Sequence, residues 1–406
     1  MDGTHEWPDN VDQARMLRIL RDEGERSRAQ LGDATGLTGA RAALEIDRLT
    51  ARGLIEHGGP AVSRGGRRSS LVRLATGTRL LSIALGAHSL EVVVTDGELR
   101  PLARACERSD LRRGPALVLG RACELAAKLL LESGGDRFSG AGIGIPGPVS
   151  FRDGAPVAPP FLPGWHRFGV RELLATELCC PVLVDNDVNL LALGEKHAGV
   201  GKPFDTFLFV KIGSGIGAGL IVDGEVYRGA DGSAGDIGHT AVSIGQDDGP
   251  DCLCGNTGCL EAYFGGAALS RDALTAVRAG RSAALAERLA RSGTLTAHDV
   301  ADAATHGDPV AVALVRDGGH RVGQVLATMV SFFNPGLIVI GGGLAGIGHS
   351  LLAEIRSVVY RASLPLASRA LPIVLSELGT EATHLGAARM VSDHLLEVPG
   401  ARSARR

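Results

Sequence analysis

A chain of 406 residues, 45% hydrophobic, 21% charged and with a formal net charge of -3, is long enough for two or three separately cored domains and too nearly neutral to bind polyanions indiscriminately. No apolar run approaches the roughly twenty residues a bilayer span requires. The acidic opening stretch carries no apolar signal core, so a cytoplasmic protein with no membrane partner is expected.

Residues 11–22 carry apolar side chains at helical spacing, and Ser27 followed by Gln30 has the form of a capping box that opens a second helix ending at Gly36. Thr38 is the candidate N-cap of a third helix. On it Ala42, Ile46 and Leu49 share one face, while Arg41, Glu45, Arg48 and Arg52 share the other. Arg41 falls in the first turn, where the positive end of the helix dipole disfavours a cation, so an anionic partner is expected there; a DNA phosphate or a guanine edge fits.

Residues 54–75 read as two short strands around a glycine-rich tip bearing Arg64, Arg67 and Arg68. Alone, that tip could be a solvated linker. After a helix-turn-helix it reads as a wing whose arginines enter a minor groove. The expected contacts to operator DNA are therefore Thr38, Arg41, Glu45, Arg48, Arg64, Arg67 and Arg68.

From Arg79 strands and helices alternate. A hairpin, a helix over 115–133, a strand into a Gly-Pro loop, a further helix and strand, a loop bearing Asn186, Asp187 and Asn189, and another helix make one round. A second round starts with a glycine-containing hairpin near residue 204. This alternation predicts layered α/β lobes with ligands between them.

Within the second round, His239, Cys252, Cys254 and Cys259 place one imidazole and three thiols where a single ion could take all four. That donor set suits tetrahedral Zn2+, and four protein ligands leave no open position for an activated water, so the predicted role is structural. Asp236 and Glu261 flank the ligands and would be fixed by the same ion. Buried free cysteines are the alternative. The remaining thiols, Cys106, Cys123, Cys179 and Cys180, are expected to be reduced.

The motifs IGIPGPV (143–149), PFLPGW (160–165), VDNDVNLLALGE (184–195), IGSGIGAG (212–219), GDIGH (235–239), CLCGNTGCLEAY (252–263) and PGLIVIGGGL (335–344) together resemble the ROK family of repressors and sugar kinases. The resemblance covers most of residues 11–395. It implies an α/β protein in which an N-terminal winged helix-turn-helix (1–78) precedes a two-lobed, actin-like ATPase (ribonuclease H-like) fold. Lobe I would span 79–195, completed by a C-terminal helix over 383–398; lobe II would span 196–382 and carry the zinc site; 399–406 would be a disordered tail.

By the same resemblance Asp187 matches the catalytic base of the kinases, and Asn186, Asp187, Asp236, His239 and Glu261 match the sugar-binding set. His239 would serve both metal and sugar. Gly213, Gly215 and Gly217 match the phosphate loop, and Gly341, Gly342 and Gly343 the turn near adenosine, although glycines also make plain tight turns. Two positions depart from the pattern. The first phosphate motif, normally Asp-x-Gly, reads Ala84, Leu85, Gly86, so the carboxylate at the Mg2+-ATP end is missing. Asp236 stands where glutamate is usual.

The expected function is a sugar-responsive transcriptional regulator, a repressor, working as a homodimer or dimer of dimers on operator DNA, with a small sugar effector, structural Zn2+ and no ATP/Mg2+. The competing expectation is an active ATP-dependent, glucokinase-like sugar kinase. A zinc-responsive regulator is a third.

Overall fold

The computed structural model describes residues 7–60, 70–160, 162–242 and 249–398. Helices α1 (Val11–Glu23), α2 (Arg28–Thr35) and α3 (Gly39–Ala51) open the chain, with a small antiparallel sheet made by β1 (Arg26–Ser27), β2 (Ile55–Pro60) and β3 (Ser70–Leu74). The expected capping box forms: Ser27 Oγ accepts from Gln30 N at 3.2 Å and Gln30 Oε1 accepts from Ser27 N at 2.8 Å. Met16, Leu20, Leu31, Ile46, Leu49 and Val72 are buried together beneath these elements. Arg64, Arg67 and Arg68 lie outside the described residues.

The first large sheet is built from β4 (Leu80–Leu85), β5 (Ser89–Thr95), β6 (Pro101–Arg108), β7 (Gly140–Ile145) and β10 (Val182–Asn186), with α4 (Pro115–Glu132) and α5 (Val170–Leu178) between strands and a short ribbon of β8 (Val149–Ser150) and β9 (Ala155–Pro156). Its spatial order is β6-β5-β4-β7-β10, the hairpin strands antiparallel and the others parallel to β4. After α6 (Asp187–Ala198), β11 (Phe207–Ile212), β12 (Ile216–Val222) and β13 (Glu225–Tyr227) begin a second sheet. Helices α7 (Leu260–Phe264), α8 (Gly266–Arg278), α9 (Ala283–Ser292), α10 (Ala297–Thr305) and α11 (Pro309–Phe333) lead to β14 (Ile338–Gly341); α12 (His349–Ala362) and α13 (Pro365–Ser368) lead to β15 (Ile373–Leu375), and α14 (Glu381–Leu395) closes the fold. The order β13-β12-β11-β14-β15 repeats that of the first sheet, each reading third, second, first, fourth, fifth strand of its round. The two rounds expected from the sequence are thus two copies of one topology.

The lobes exchange helices. α6 buries Val188, Leu191 and Ala192 against Phe207, Phe209 and Ile221 of the second sheet, whereas α14 packs on β4 and β7 of the first. The sequence boundary at residue 195 therefore falls inside a helix shared by both lobes. Where α6 and α14 cross, a Cβ on Gly194 would stand 1.9 Å from the Ala382 carbonyl oxygen, and one on Gly386 would stand 1.9 Å from that of Leu190. Only glycine admits so close a backbone approach.

The N-terminal domain is seated on the far end of α14. The fully buried Arg21 side chain donates to Ser392 Oγ at 2.9 Å and Asp393 Oδ1 at 2.8 Å, Arg18 donates to the Leu396 carbonyl at 3.2 Å, and Leu396 enters the N-terminal core. Among the described residues no helix is long and apolar enough to cross a membrane.

One sequence expectation is corrected here. Glu45 is 4% exposed and turns inward, its carboxylate accepting from Gln13 Nε2 at 2.8 Å, Asn10 Nδ2 at 3.2 Å and Arg48 Nη1 at 2.9 Å. It braces α3 against α1 and is not presented to a partner. Buried carboxylates need such donors, because desolvation without them is costly.

Candidate functional site

The cleft between the lobes is organised by the start of α6. Asn186, at its N-cap, accepts from Val188 N at 2.8 Å and donates through Nδ2 to the Gly147 carbonyl at 2.6 Å, while Asp187 opens the first turn as a buried carboxylate. Behind them the buried Asp185 accepts from Asn186 N at 2.7 Å and Asn189 Nδ2 at 2.8 Å through Oδ1. Its other oxygen takes two bonds from Arg228, Nε at 2.9 Å and Nη2 at 2.6 Å, and the guanidinium lies 3.9 Å from the Phe151 ring centroid. Asp185 and Phe151 come from the first lobe and Arg228 from the second, so this ion pair, with two donors on one carboxylate oxygen, clasps the cleft from behind.

Asp187 forms an ion pair with Lys211 of β11. Opposite stand Asp236, His239 and Glu261, all lining one cavity of about 90 Å³ with Asn186, Asp187 and Lys211. Glu261 Oε2 accepts from Ile216 N at 2.9 Å, which ties the start of α7 to the start of β12. Burial pushes the Asp236 carboxyl above its ordinary value, against the opposing pull of His239. The five residues expected to bind sugar are therefore brought to one place.

A larger cavity of about 760 Å³ adjoins it, sharing Ser214 and Glu261 and reaching Gly213, Gly266 and Gly343. A Cβ on Gly213 would lie 3.5 Å from Gly343 N, so the two glycine loops meet there. Other glycines of the set answer to packing. A Cβ on Gly86 would stand 2.3 Å from Ser89 Oγ in the β4–β5 turn, one on Gly215 2.6 Å from Glu261 Oε2, one on Gly217 3.3 Å from Val188, and one on Gly341 2.3 Å from the Phe209 ring; Gly342 has φ +91°. Ala84 lies near the end of β4, in register with Gly144 of β7.

His239, Cys252, Cys254 and Cys259 form a cluster whose ligand atoms all lie within 4.8 Å of one another and which could hold a metal ion. His239 Nδ1 is 3.5 Å from Cys252 Sγ, and the sulfurs of Cys254 and Cys259 are 3.8 Å apart. Tetrahedral zinc with Zn–S bonds of about 2.3 Å separates its sulfurs by about 3.8 Å, so the donor set and its spacing fit. Burial and the neighbouring thiols push Cys259 up to about 12, an opposition that a bound cation would reverse. His239 turns its other nitrogen, Nε2, to within 3.9 Å of Asp236 Oδ1 on the cleft side.

On the outer face of α3, Thr38 stands at the N-cap without a side-chain cap bond, and Arg41 and Arg48 are exposed. The anion expected beside Arg41 is in part supplied by the protein: Asp12 of α1 accepts from it at 2.7 Å, and the arginine remains 63% exposed. Three cleft residues were not picked out from sequence: Asp185, Lys211 and Arg228. Lys211 did leave a signal, a single charge inside the apolar strand FLFVKI.

A family model described as ROK family matches residues 80–394. A putative xylose repressor from Caldicellulosiruptor sp. is 29% identical over 408 residues, covering 98% of this chain and 99% of that protein. Among solved structures, a ROK family transcriptional regulator described as a homolog of the E. coli MLC protein superposes with a TM-score of 0.80 at 27% identity, over 95% of this chain and 97% of its own. A Streptomyces griseus ROK family glucokinase, solved with glucose and AMPPNP, gives a TM-score of 0.68 at 27% identity; it is matched over 99% of its length but covers only 77% of this chain.

Proposed function

The chain belongs to the ROK family, and on that premise we propose that it is a sugar-responsive transcriptional repressor whose kinase-like cleft serves as a sensor. The observation that carries this reading is continuity. Asn186 and Asp187 open α6, α6 crosses α14 through Gly194 and Gly386, and α14 carries the N-terminal domain on Arg21, Ser392 and Asp393. A sugar binding Asn186, Asp187, Asp236, His239 and Glu261 from both sides would favour one lobe arrangement. Any shift of α6 against α14 is then delivered to the helices that face operator DNA. A ligand that binds one arrangement about a hundredfold better supplies about 3 kcal/mol of coupling, enough to change operator occupancy.

The operator face of this reading is Thr38, Arg41 and Arg48 with the wing arginines. Two such faces in a homodimer or dimer of dimers would match a two-fold operator. Zinc held by His239, Cys252, Cys254 and Cys259 would supply cross-linking rather than chemistry, fixing His239 and the approach to Glu261. The full-length match to repressors supports the assignment, whereas the glucokinase match leaves about a quarter of the chain uncovered.

A sugar kinase remains the second reading, favoured by Asp187 and the larger adjoining cavity and opposed by Ala84. Losing one electrostatic contact of this kind costs about two or three decades in rate. Two measurements decide. Thermal-shift screening against a sugar library should find a ligand that raises the melting temperature and alters operator binding in a gel shift. Coupled ADP release with the same sugars should stay far below ordinary kinase rates; turnover at those rates would replace the sensor with an enzyme.

A further inference from the structure

The end of α6 opposite the cleft is tied to the N-terminal domain through Arg389. Asp187 stands in the first turn of α6 and His197 in its last. Between them, at Gly194, α6 crosses α14 so closely that a Cβ there would stand 1.9 Å from the Ala382 carbonyl oxygen. About one helical turn beyond the crossing on each helix, Arg389 Nη1 of α14 donates to His197 Nδ1 of α6 at 2.8 Å. The same Nη1 donates at 2.9 Å to Asp22 Oδ1, in the last turn of α1, and Nε donates to Asp393 Oδ2 at 2.8 Å. Nη1 carries two N–H groups, so one serves each neighbouring helix. The side chain is 20% exposed and its fork is planar, so it cannot follow one partner without leaving the other.

Three features make this contact a path for movement as well as a seat. Arg21, which holds the N-terminal domain on α14 through Ser392 and Asp393, makes no hydrogen bond to α6 among the described residues, whereas Arg389 does. The crossing at Gly194 and Gly386 is too close for sliding, so a change at the start of the twelve-residue α6 reaches its other end as a turn about that point. At the far end of α1, Asn10 and Gln13 donate to Glu45 at 3.2 and 2.8 Å, so α1 and α3 move as one piece. A turn of α6 that shifts His197 therefore draws the Arg389 fork against Asp22 and re-aims α3.

We propose that Arg389 is the positioning residue that carries the arrangement of the cleft to the operator face, with His197 as its partner on α6 and Asp22 as its partner on α1, an assignment that rests on the sugar-sensor reading and supplies its route. Without the fork, the cleft and the operator face keep their own ligands and lose their influence on each other.

The test is the coupling between the two ligands on the full-length protein. DNA affinity is read by fluorescence anisotropy on a duplex selected from random-sequence DNA by the wild-type protein, with and without a panel of aldohexoses, aldopentoses, N-acetylhexosamines and the phosphate esters of each; calorimetry reads sugar affinity. In wild type at least one sugar should change DNA affinity about tenfold or more. Arg389→Met and His197→Leu should each bring that factor to within about twofold of one, while DNA affinity without sugar and sugar affinity without DNA stay near wild type. His197→Gln, which keeps an acceptor, and Arg389→Lys, which keeps a cation, should recover part of the factor; a purely structural loss would not follow the acceptor. Should Arg389→Met not fold, the two His197 variants decide. A ligand-free arm reads the same route by amide exchange: Asp187→Asn breaks the ion pair with Lys211 at the start of α6 and should alter exchange in α1, but no longer do so in the Arg389→Met background. An undiminished factor in folded Arg389→Met, or loss of its sugar-free DNA binding, would overturn the proposal, as would α1 exchange blind to Asp187→Asn in the wild-type background. No sugar of the panel altering DNA binding, while Asp187→Asn still reaches α1 through Arg389, would overturn the sensor reading and leave the route standing.

Discussion

Arg389 donates through Nη1 to Nδ1 of His197 at 2.8 Å, and the same nitrogen lies 2.9 Å from Asp22 Oδ1, so one guanidinium joins the end of α6, the helix α14 and the N-terminal domain. For this geometry His197 must be neutral. Burial, and then the positive charge of Arg389, lower its pKa to about 4, with Arg21 acting in the same direction and Asp22 and Asp393 pulling against them.

The sign of the pH dependence follows. An unfolded histidine titrates near about 6.5, so between that value and about 4 the unfolded chain binds a proton that the folded chain refuses. Stability carried by the neutral imidazole is complete above that window and is lost as pH falls through it. His197→Gln keeps an acceptor but cannot titrate. Its stability deficit against wild type, measured by urea unfolding at pH 7, 6, 5 and 4.5 or so, should shrink toward the acid end, while carboxylate effects common to both proteins cancel. A deficit independent of pH would remove His197 from the linkage.

At the helix crossing, Gly386→Ala should be strongly destabilising. Its new methyl would meet the Leu190 carbonyl oxygen at 1.9 Å, backbone that cannot swing aside. Overpacking of this kind costs about 1–3 kcal/mol or more, against a helix-propensity gain of up to about 1 kcal/mol. Gly120→Ala in α4 is the matched control. Nothing lies within 4 Å of its Cβ position, so it should gain about 0.5–1 kcal/mol instead. Thermal melts of the two variants should move in opposite directions, and equal shifts would mean that the crossing can open at little cost.

How much of this was legible in the sequence varied with the range of the interaction. The Ser27 capping box, the hairpin openings of both lobes and the grouping of His239 with three cysteines are local or repeated patterns, and spacing alone exposes them. Asp185 and Arg228 are 43 residues apart and Lys211 and Asp187 are 24 apart; nothing local states that either pair will meet. Glu45 shows the opposite failure. Helical periodicity placed it with Arg41 and Arg48, but periodicity does not reveal that Asn10 and Gln13 of α1 supply donors able to bury a carboxylate at the edge of the apolar face.

That difference would separate stability from the proposed DNA binding on one helix. Glu45→Ala should unfold the N-terminal domain more easily, because Gln13 Nε2 and Asn10 Nδ2 lose their acceptor; unsatisfied buried donors cost about 1–3 kcal/mol each. Arg48→Ala should lower the melting temperature less than Glu45→Ala, because the arginine is exposed and Gln13 and Asn10 still donate to the Glu45 carboxylate when its 2.9 Å bond from Arg48 is lost. Combined with Arg67→Ala and Arg68→Ala it should weaken operator binding and flatten its dependence on salt, since fewer counterions are released per complex. Fluorescence anisotropy across a salt series reads both quantities. A slope identical to wild type would exclude these arginines from the interface.

Cys254→Ser tests whether the metal cluster supports the cleft at a distance. Cys254 does not line the cleft cavity proposed to bind sugar, whereas His239 and Glu261 do. Its thiol instead stands against Cys259, immediately before α7, the helix that carries Glu261. With three ligands left, metal content in the purified protein should fall from about one zinc per chain, and the turn bearing His239 would lose the metal-mediated link to the start of α7 that a bound ion would supply. Sugar affinity should drop about tenfold through the displaced His239 and Glu261, with operator binding retained because the N-terminal domain rests on α14. Metal analysis beside calorimetry checks the pair of effects. Zinc loss with undiminished sugar affinity would show that Glu261 is held sufficiently by its bond to Ile216 N, and would confine the cluster's role to holding His239 beside Cys252, Cys254 and Cys259.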